Sequence, residues 1–326
     1  PTQIYPLSLH DALPICAGRF APHFAESIAG DSAVAHATAY VNAVEALSGM
    51  DIPRRAMSIR AIALELERAG IHIGDLGAVA NDIGYLMGNA VFGATRTLVI
   101  NSLLAICGSR FGRGLVRPGG VNFDIEPGLM DTVRVTLEKV REDVERMGEA
   151  MFDSPSVLSR LEHTGVVTRE TAAAIGMVGP AARASGLALD VRADHPFGIY
   201  RSFPVHTVTL ETGDVFARSY IRFVEIKQSL QFVMEQFANF PDDGELLAPV
   251  GDMKGGLFTV SMVEGWRGEV VHCAMTDGNG ALASYRIKDP SFNNWYGLAL
   301  AVRGNGVSDF PLCNKSFNLS YCGHDL

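Results

Sequence analysis

Ala29-Gly30-Asp31-Ser32-Ala33-Val34-Ala35-His36-Ala37-Thr38-Ala39-Tyr40 carries the decisive information in this 326-residue chain. Asp31 and Ser32 are ordinary N-cap residues for a helix predicted over 33–47, which Ser48-Gly49 ends and Asp51-Ile52-Pro53 separates from the next. From 55 to about 76, Ile59, Ile62, Leu66, Ala69, Ile73 and Leu76 recur at spacings of three and four, one apolar stripe of an amphipathic helix. Glu65, Arg68, His72 and Asp75 form a polar stripe on a neighbouring face.

Helical signal continues over 83–109, and Gly108, Gly112, Gly114, Pro118, Gly119 and Gly120 then mark a loop. Met130, Val133, Leu137, Val140, Val144 and Met147 predict another helix. Ser154-Pro155 starts a short helix through Leu161, and Thr168 can cap the Ala-rich turn that follows. The last long helix spans 214–237. Residues 257–263, 270–275 and 281–287 are short β-type runs, with Asp277-Gly278 and Asn279-Gly280, favoured hairpin pairs, between the second and third. Residues 290–303 return to helix. The predicted fold is mainly α (α+β), a helical bundle with a small antiparallel β-sheet near the C-terminus.

Hydrophobic residues are 48% and charged residues 19%, which suits a globular protein that also buries surface against partners. With 27 basic and 36 acidic side chains the net charge is -9, which argues against nucleic acid as a partner. Five scattered cysteines, an odd number, suit reduced thiols rather than a disulfide framework. The most apolar stretch, 97–107, is interrupted by Asn101 and Ser102 and is shorter than the roughly 20 residues that span a bilayer.

With Val44-Glu45-Ala46-Leu47 and Pro53-Arg54-Arg55-Ala56 behind it, the opening stretch resembles the large subunit of energy-converting nickel-iron hydrogenases of the formate hydrogenlyase and hydrogenase-4 type. Further blocks follow in the same order: Glu65-Leu66-Glu67-Arg68 with His72 and Asp75-Leu76-Gly77; Arg117-Pro118-Gly119-Gly120-Val121, a turn shared with the D subunit of NADH-quinone oxidoreductase; Gly213 to Arg218 with Arg222 and Glu225; and Glu264-Gly265-Trp266-Arg267-Gly268-Glu269. In that family Cys-Gly-x-Cys stands four residues before a His, and the thiolates bind nickel. Here His36 matches the His, so Ala29 and Ser32 fall on the cysteines. The second motif, Asp-Pro-Cys-x-x-Cys, aligns with the tail so that Ser320 and Gly323 take the thiolate positions and Cys322 misses by one.

Cysteine spacing points the same way without alignment. Cys16, Cys107, Cys273, Cys313 and Cys322 include no two residues three apart, so Cys-x-x-Cys is impossible. Nickel-iron centres need soft, thiolate-rich ligands, for which hydroxyl and carboxylate groups are poor substitutes. The expectation is that this chain holds no metal and no cofactor of its own.

Among candidate cavity residues, His36 either faces a pocket as a proton carrier, since imidazole titrates near neutral pH, or bonds neighbouring backbone. Asp31 and Ser32 either line a pocket or cap the helix, the cap being favoured. Glu65, Arg68, His72 and Asp75 read as structural pairing, internal or with a partner subunit, rather than a metal site. Arg117, with its persistent charge and fixed donor fork, either holds an anionic or carbonyl group or orients its turn. Cys322 and His324 are too few for a zinc site.

The resemblance implies a component of a membrane-bound oxidoreductase complex. It would sit peripherally on the cytoplasmic side of the inner membrane, beside an iron-sulfur small subunit, a domain or separate chain like the C subunit of NADH-quinone oxidoreductase, and antiporter-like membrane subunits. Quinone is the implied acceptor, with NADH reacting elsewhere in the complex. The Asp-Tyr pair of the D subunit, whose Tyr contacts quinone, is replaced here by Ala29 and Gly30. The alternative is a non-catalytic scaffold that couples an electron-transfer arm to the membrane subunits. Residues 1–15, with Leu7 to Ile15 resembling a translated sequencing adapter, are set aside with His10 and Asp11, leaving one domain over 16–326 that is expected to lack its natural N-terminus.

Overall fold

The computed structural model describes residues 21–242 and 244–325. The segment 1–15, with His10 and Asp11, and also Cys16 lie outside the described residues. A short helix α1 (Ala21–Ala25) leads into α2 (Ala33–Ser48), α3 (Arg54–Asp82) and α4 (Leu86–Cys107). The Arg117 turn is a two-stranded antiparallel hairpin, β1 (Val116–Arg117) and β2 (Gly120–Val121). Then come α5 (Pro127–Phe152), α6 (Pro155–Leu161), α7 (Arg169–Ala174), α8 (Gly179–Ala184), α9 (Val191–Asp194), a 3-10 turn at Gly198–Arg201 and α10 (Val215–Ala238). The sheet β3 (Phe258–Gly265), β4 (Gly268–Thr276) and β5 (Leu282–Lys288) is followed by α11 (Pro290–Ala301), a second 3-10 turn, α12 (Phe310–Phe317) and α13 (Tyr321–His324).

The mainly helical body and small C-terminal sheet agree with the sequence. Three local features differ. Helix α3 runs six residues past Leu76 and ends at Asp82, and the break at Ile83-Gly84-Tyr85 delays α4 to Leu86. Apolar and polar stripes both lie in the interior: Ile59, Ile62, Leu66 and Ile73 are fully buried, and so are Glu65, Arg68 and His72. Helix α3 is thus the central post, packed by α4, α10 and the tail helix α12. Close approach of α4 is permitted at Gly74, where an added Cβ would stand 2.8 Å from Arg96 Cδ. Finally, α4 is 22 residues long and contains an 18-residue window of mean hydropathy 1.6, so by length and composition alone it could cross a bilayer, unlike the 97–107 stretch considered by itself. In this structure it packs on α3 and α5 with 44% of that window buried, and Leu86, Met87 and Leu104 stay exposed.

Alternation along the strands sorts the sheet's two faces. Val263, Val270, His272, Ala274, Leu282, Tyr285 and Ile287 point inward, and α2 lies across them. Phe258, Val260 and Met275 face outward. The Asp277-Gly278-Asn279-Gly280 connection forms as expected, with Asp277 Oδ1 accepting from the N–H groups of Asn279 and Ala281. The preceding hairpin is tighter: Gly265 pairs with Gly268, leaving Trp266-Arg267 as a two-residue turn.

That turn is held against α8. Gly179 has φ +66, and a Cβ there would lie 2.2 Å from the Arg267 carbonyl oxygen and 2.5 Å from Gly268 Cα. Gly179→Ala therefore combines a left-handed backbone with a backbone clash. Urea unfolding of the variant is expected to show a loss of about 2–5 kcal/mol at unchanged m, whereas Gly244→Ala, which would meet nothing within 4 Å, is expected to stay within about 0.5 kcal/mol of wild type.

Candidate functional site: the rebuilt loop around Arg267

Ser32 occupies the N-cap position of α2, but its side chain makes no cap hydrogen bond. The expected Asp31/Ser32 cap is absent because both side chains are drawn elsewhere. Glu67, one turn into the polar region of α3, reaches across and accepts from the Val34 N–H (2.8 Å) and the Ala35 N–H (3.2 Å). Burial pushes the Glu67 carboxyl up to about 8, the two N–H bonds act the other way, and the Asp31 charge adds to the rise.

Asp31 is instead one jaw of a clamp on Arg267. The guanidinium donates from Nη1 to Asp31 Oδ1 and from Nη2 to Asp31 Oδ2, both at 2.7 Å. It also donates to Ser32 Oγ at 3.3 Å and to the Asn318 carbonyl at 2.5 Å. Its Cζ stands 3.9 Å over the Trp266 ring, whose Nε1 donates to the Asp31 carbonyl. Arg267 thus joins the loop 29–32, the β3–β4 turn and the C-terminal tail.

His36 completes the connection. Its Nε2 is 3.0 Å from Asp289 Oδ2, its Nδ1 is 3.0 Å from His272 Nε2, and His272 Nδ1 is 2.7 Å from Tyr285 Oη. Asp289 also caps α11 through the Ser291 N–H (2.8 Å). Although burial opposes ionisation, the His36 bond and the His36 and Arg267 charges bring the Asp289 carboxyl down to about 2. Gly323 packs directly on Asp289, since a Cβ there would stand 2.4 Å from its Cγ. Ser320 Oγ accepts the Gly323 N–H at 3.0 Å as the cap of α13.

The fold therefore brings the loop around Ala29 and Ser32 close to the tail around Ser320 and Gly323, but the donors are wrong for nickel. Ala29 and Gly323 offer no ligand atom, both hydroxyls are engaged in hydrogen bonds, and a guanidinium cation spans the space. A thiolate at 323 would need Asp289 to move. Thiolate-held nickel and iron do not fit these residues. Among the described residues there is no group of three or more His, Cys, Asp or Glu placed to hold a metal ion. Cys322 is exposed, and His324 pairs with Asp325.

Arg117 is not part of that cluster. It lines a groove of about 1120 Å³ together with His23, Tyr40, Leu247, Val250 and Met253. Its Nη2 contacts His23 Nε2 at 3.2 Å, and its buried Nη1 has no hydrogen-bond partner. Glu45 and Arg60, paired at 2.6 Å, hold the turn from below: Arg60 donates to the carbonyls of Arg117 and Gly120, and Glu45 accepts from the Gly119 N–H. Burial raises the Tyr40 phenol to about 12.

The polar stripe of α3 is paired, and its pairing is internal to this chain. Arg68 bridges Glu65 (3.3 Å) and Glu225 (3.5 Å), His72 Nε2 meets Glu225 (3.0 Å), and Arg222 meets Asp75 (3.3 Å). Arg222 donates to His72 Nδ1 at 3.2 Å, so the ring proton sits on Nε2 and donates to Glu225. Arg192 binds Glu65 and Asp190, while Arg183 binds Glu225 and Glu264. All of these groups are at most 5% exposed, which leaves none of them free for a partner subunit. Asn318 donates to Asp75 and carries the network to Arg267.

Glu67 and Arg267 stand in blocks that carry the family resemblance but are not singled out there as site residues, and His272, Tyr285 and Asp289 are not singled out at all. His272 and Tyr285 are ordinary inward positions of strands, and only Asp289-Pro290, a helix N-cap with Pro at N1, carried a local signal.

Fold and site together describe a hydrogenase-like large-subunit scaffold in which Arg267 joins the loop 29–32 to the C-terminal tail. The chain belongs to the family of the respiratory-chain NADH dehydrogenase 49 Kd subunit, which matches residues 82–254. It is 31% identical to formate hydrogenlyase subunit 5 of Escherichia coli (strain K12) over 91% of its own length and 52% of that protein. Against the D subunit of NADH-quinone oxidoreductase from Bacillus mycoides (strain KBAB4) it is 30% identical, covering 82% of this chain and 74% of that one. The chain thus spans about half the length of the formate hydrogenlyase protein. A solved chain of the membrane-bound sulfane sulfur reductase, an archaeal respiratory membrane complex, shares the fold, with TM-score 0.87, 23% identity and coverage of 94% of this chain and 84% of that one.

Two measurements probe the loop. In the unfolded chain the Glu67 carboxyl ionises at the ordinary carboxylate value, so between that value and about 8 the folded protein binds the extra proton. Its contribution to stability is complete at low pH and declines as pH rises through that window. Glu67→Gln is expected to flatten the stability–pH curve there and to lose least, relative to wild type, near pH 8. Gly323→Cys is expected to lower stability by about 1–3 kcal/mol through collision with Asp289, read as a fall in Tm.

Proposed function

We propose that this chain is the hydrogenase-like, D-subunit-like component of a membrane-bound redox complex, keeping the large-subunit scaffold without nickel. The observation that carries this is the Arg267–Asp31 clamp standing among Ala29, Ser32, Asn318 and the tail that bears Ser320 and Gly323. In this reading electrons arrive from an iron-sulfur cluster of a small subunit and pass to quinone or another acceptor. A C-subunit-like partner and antiporter-like membrane subunits complete the assembly on the cytoplasmic side of the membrane. The names of the relatives support a multi-subunit setting, and that of the solved structural neighbour a membrane one. Exposed Leu86, Met87 and Leu104 on α4 supply apolar surface for peripheral attachment through such partners.

The Arg117 groove supports an acceptor site better than the loop does. His36 is fully buried and Arg267 occupies Asp31 and Ser32, whereas the Arg117 side chain lines an open groove beside an apolar wall. A second reading is a non-catalytic scaffold that couples the electron-transfer arm to ion-translocating membrane subunits. The buried ionic chain from Arg192 to Asp31 favours it, since such a chain ties the loop rigidly to α9 and α10.

Purified native complex separates the two. Saturable binding of a quinone analogue, weakened at least about tenfold by Arg117→Ala, is the outcome expected of an acceptor site, because a lost charge-assisted hydrogen bond is worth about 1.5–3 kcal/mol. Absence of binding at any concentration selects the scaffold. Metal analysis is expected to find less than stoichiometric nickel; one nickel per chain would overturn the proposal.

A further inference from the structure

The four-membered chain Asp289–His36–His272–Tyr285 has more hydrogen-bonding capacity than a structural link needs. All four side chains are buried, with His36, His272, Tyr285 and Asp289 each 0% exposed. The central contact joins two imidazole nitrogens, His36 Nδ1 and His272 Nε2, at 3.0 Å. Facing nitrogens at that distance need one proton between them: two lone pairs repel, and so do two N–H groups. The two rings are therefore coupled and cannot be protonated independently.

The geometry accommodates two protonation states without moving a heavy atom. In the first, Tyr285 donates to His272 Nδ1, His272 Nε2–H donates to His36 Nδ1, and His36 Nε2–H donates to the Asp289 carboxylate. In the second, one added proton reverses the inner bonds. His36 then donates from Nε2 to Asp289 and from Nδ1 to His272 Nε2, and His272 Nδ1–H donates to the Tyr285 oxygen. The charge of that added proton is balanced by the Asp289 carboxylate. A second added proton would put N–H against N–H. We infer that Asp289, His36, His272 and Tyr285 form a buried relay that stores one proton and shifts it along its own hydrogen bonds between the Tyr285 and Asp289 ends.

The ends of the relay agree with this. Tyr285 lies against Tyr40, ring centroids 5.9 Å apart, and Tyr40 lines the Arg117 groove. Asp289 lies under Gly323 and next to Ser291, which accepts from the Ser320 N–H. Charged or titratable neighbours include Arg267 at the Asp289 end and Tyr40 and Cys273 at the Tyr285 end. A proton added at His272 Nδ1 shifts the Nε2 proton of His272 to His36 Nδ1, so one proton enters and its charge comes to rest on His36 beside the Asp289 carboxylate. No electron moves within the chain.

Use of the relay in turnover rests on the redox reading above, in which reduction of an acceptor consumes protons. The store itself is tested without turnover. Native complex labelled with 15N-imidazole histidine is expected to show coupling across the hydrogen bond between His36 and His272 nitrogens, and uptake of a single shared proton as pH falls. His272→Gln, which keeps a donor and an acceptor of similar size, is expected to abolish the coupling while the complex still assembles; Tyr285→Phe is expected to keep it. Independent titration of the two rings, or no coupling in wild type, overturns the store. In turnover, His272→Gln is expected to lower kcat by about tenfold or more at unchanged KM, with an altered pH profile. A wild-type pH profile in that variant overturns the relay. A complex that shows the coupling but has no redox turnover would sink the redox reading and leave the store standing.

Discussion

Arg267 holds three separate parts of the chain in one place. Its guanidinium has five donors in a rigid plane, and the fold meets them with the Asp31 carboxylate, Ser32 Oγ and the Asn318 carbonyl while the Trp266 ring covers its face. Removing one partner from a buried pair leaves an uncompensated charge and costs several kcal/mol, more than two ordinary methylene deletions. Asp31 keeps about a third of its side chain in water, so the greater constraint lies on Arg267, only 5% exposed, and on the backbone that delivers it. Gly179 and Gly268 touch backbone to backbone to set that delivery.

Behind this clamp stands a charge inventory that nearly cancels. Glu65, Asp75, Asp190, Glu225 and Glu264 face Arg68, Arg183, Arg192 and Arg222, five carboxyls against four guanidiniums. The surplus has a location: burial and the neighbouring Asp190 charge push the Glu264 carboxyl up to about 7. Glu225, by contrast, is held well below the usual carboxylate range by Arg183, the His72 bond and Arg68, against its burial. Buried ion networks add little net stability over apolar packing, but any misplacement of their members is expensive. The consequence is a rigid frame between α3, α8, α9 and α10 on which the loop is placed.

Much of the helical frame was readable from the sequence because it rests on periodicity and punctuation. The stripe from Ile59 to Leu76, the Ser154-Pro155 start and the Asp277–Gly280 connection each carry a local physical cause. Asp31 and Ser32 show where that kind of inference stops. Their residue types suit a cap, yet Glu67 performs it, because a carboxylate from α3 takes the helix N–H groups while the Arg267 guanidinium takes the Asp31 and Ser32 side chains, both through contacts distant in sequence. The polar stripe of α3 could be read as paired, but not as buried, since its partners Arg183, Arg192 and Glu225 come from distant parts of the chain.

By itself the sequence determined what cannot happen in this protein. With no two cysteines three apart, a Cys-x-x-Cys pair is excluded from this chain, and Ala, Ser, Ser and Gly at the aligned positions carry no thiolate. Tertiary structure alone decided what stands there instead. His36, His272, Tyr285 and Asp289 belong to a helix, two strands and a helix cap, and only the packing of α2 across the sheet brings their polar atoms within 3.0 Å of one another. Hydrogen bonds act over ångströms and sequence periodicity over a few residues, so a site assembled from positions 31, 36, 267, 272 and 289 becomes visible only once the chain is folded.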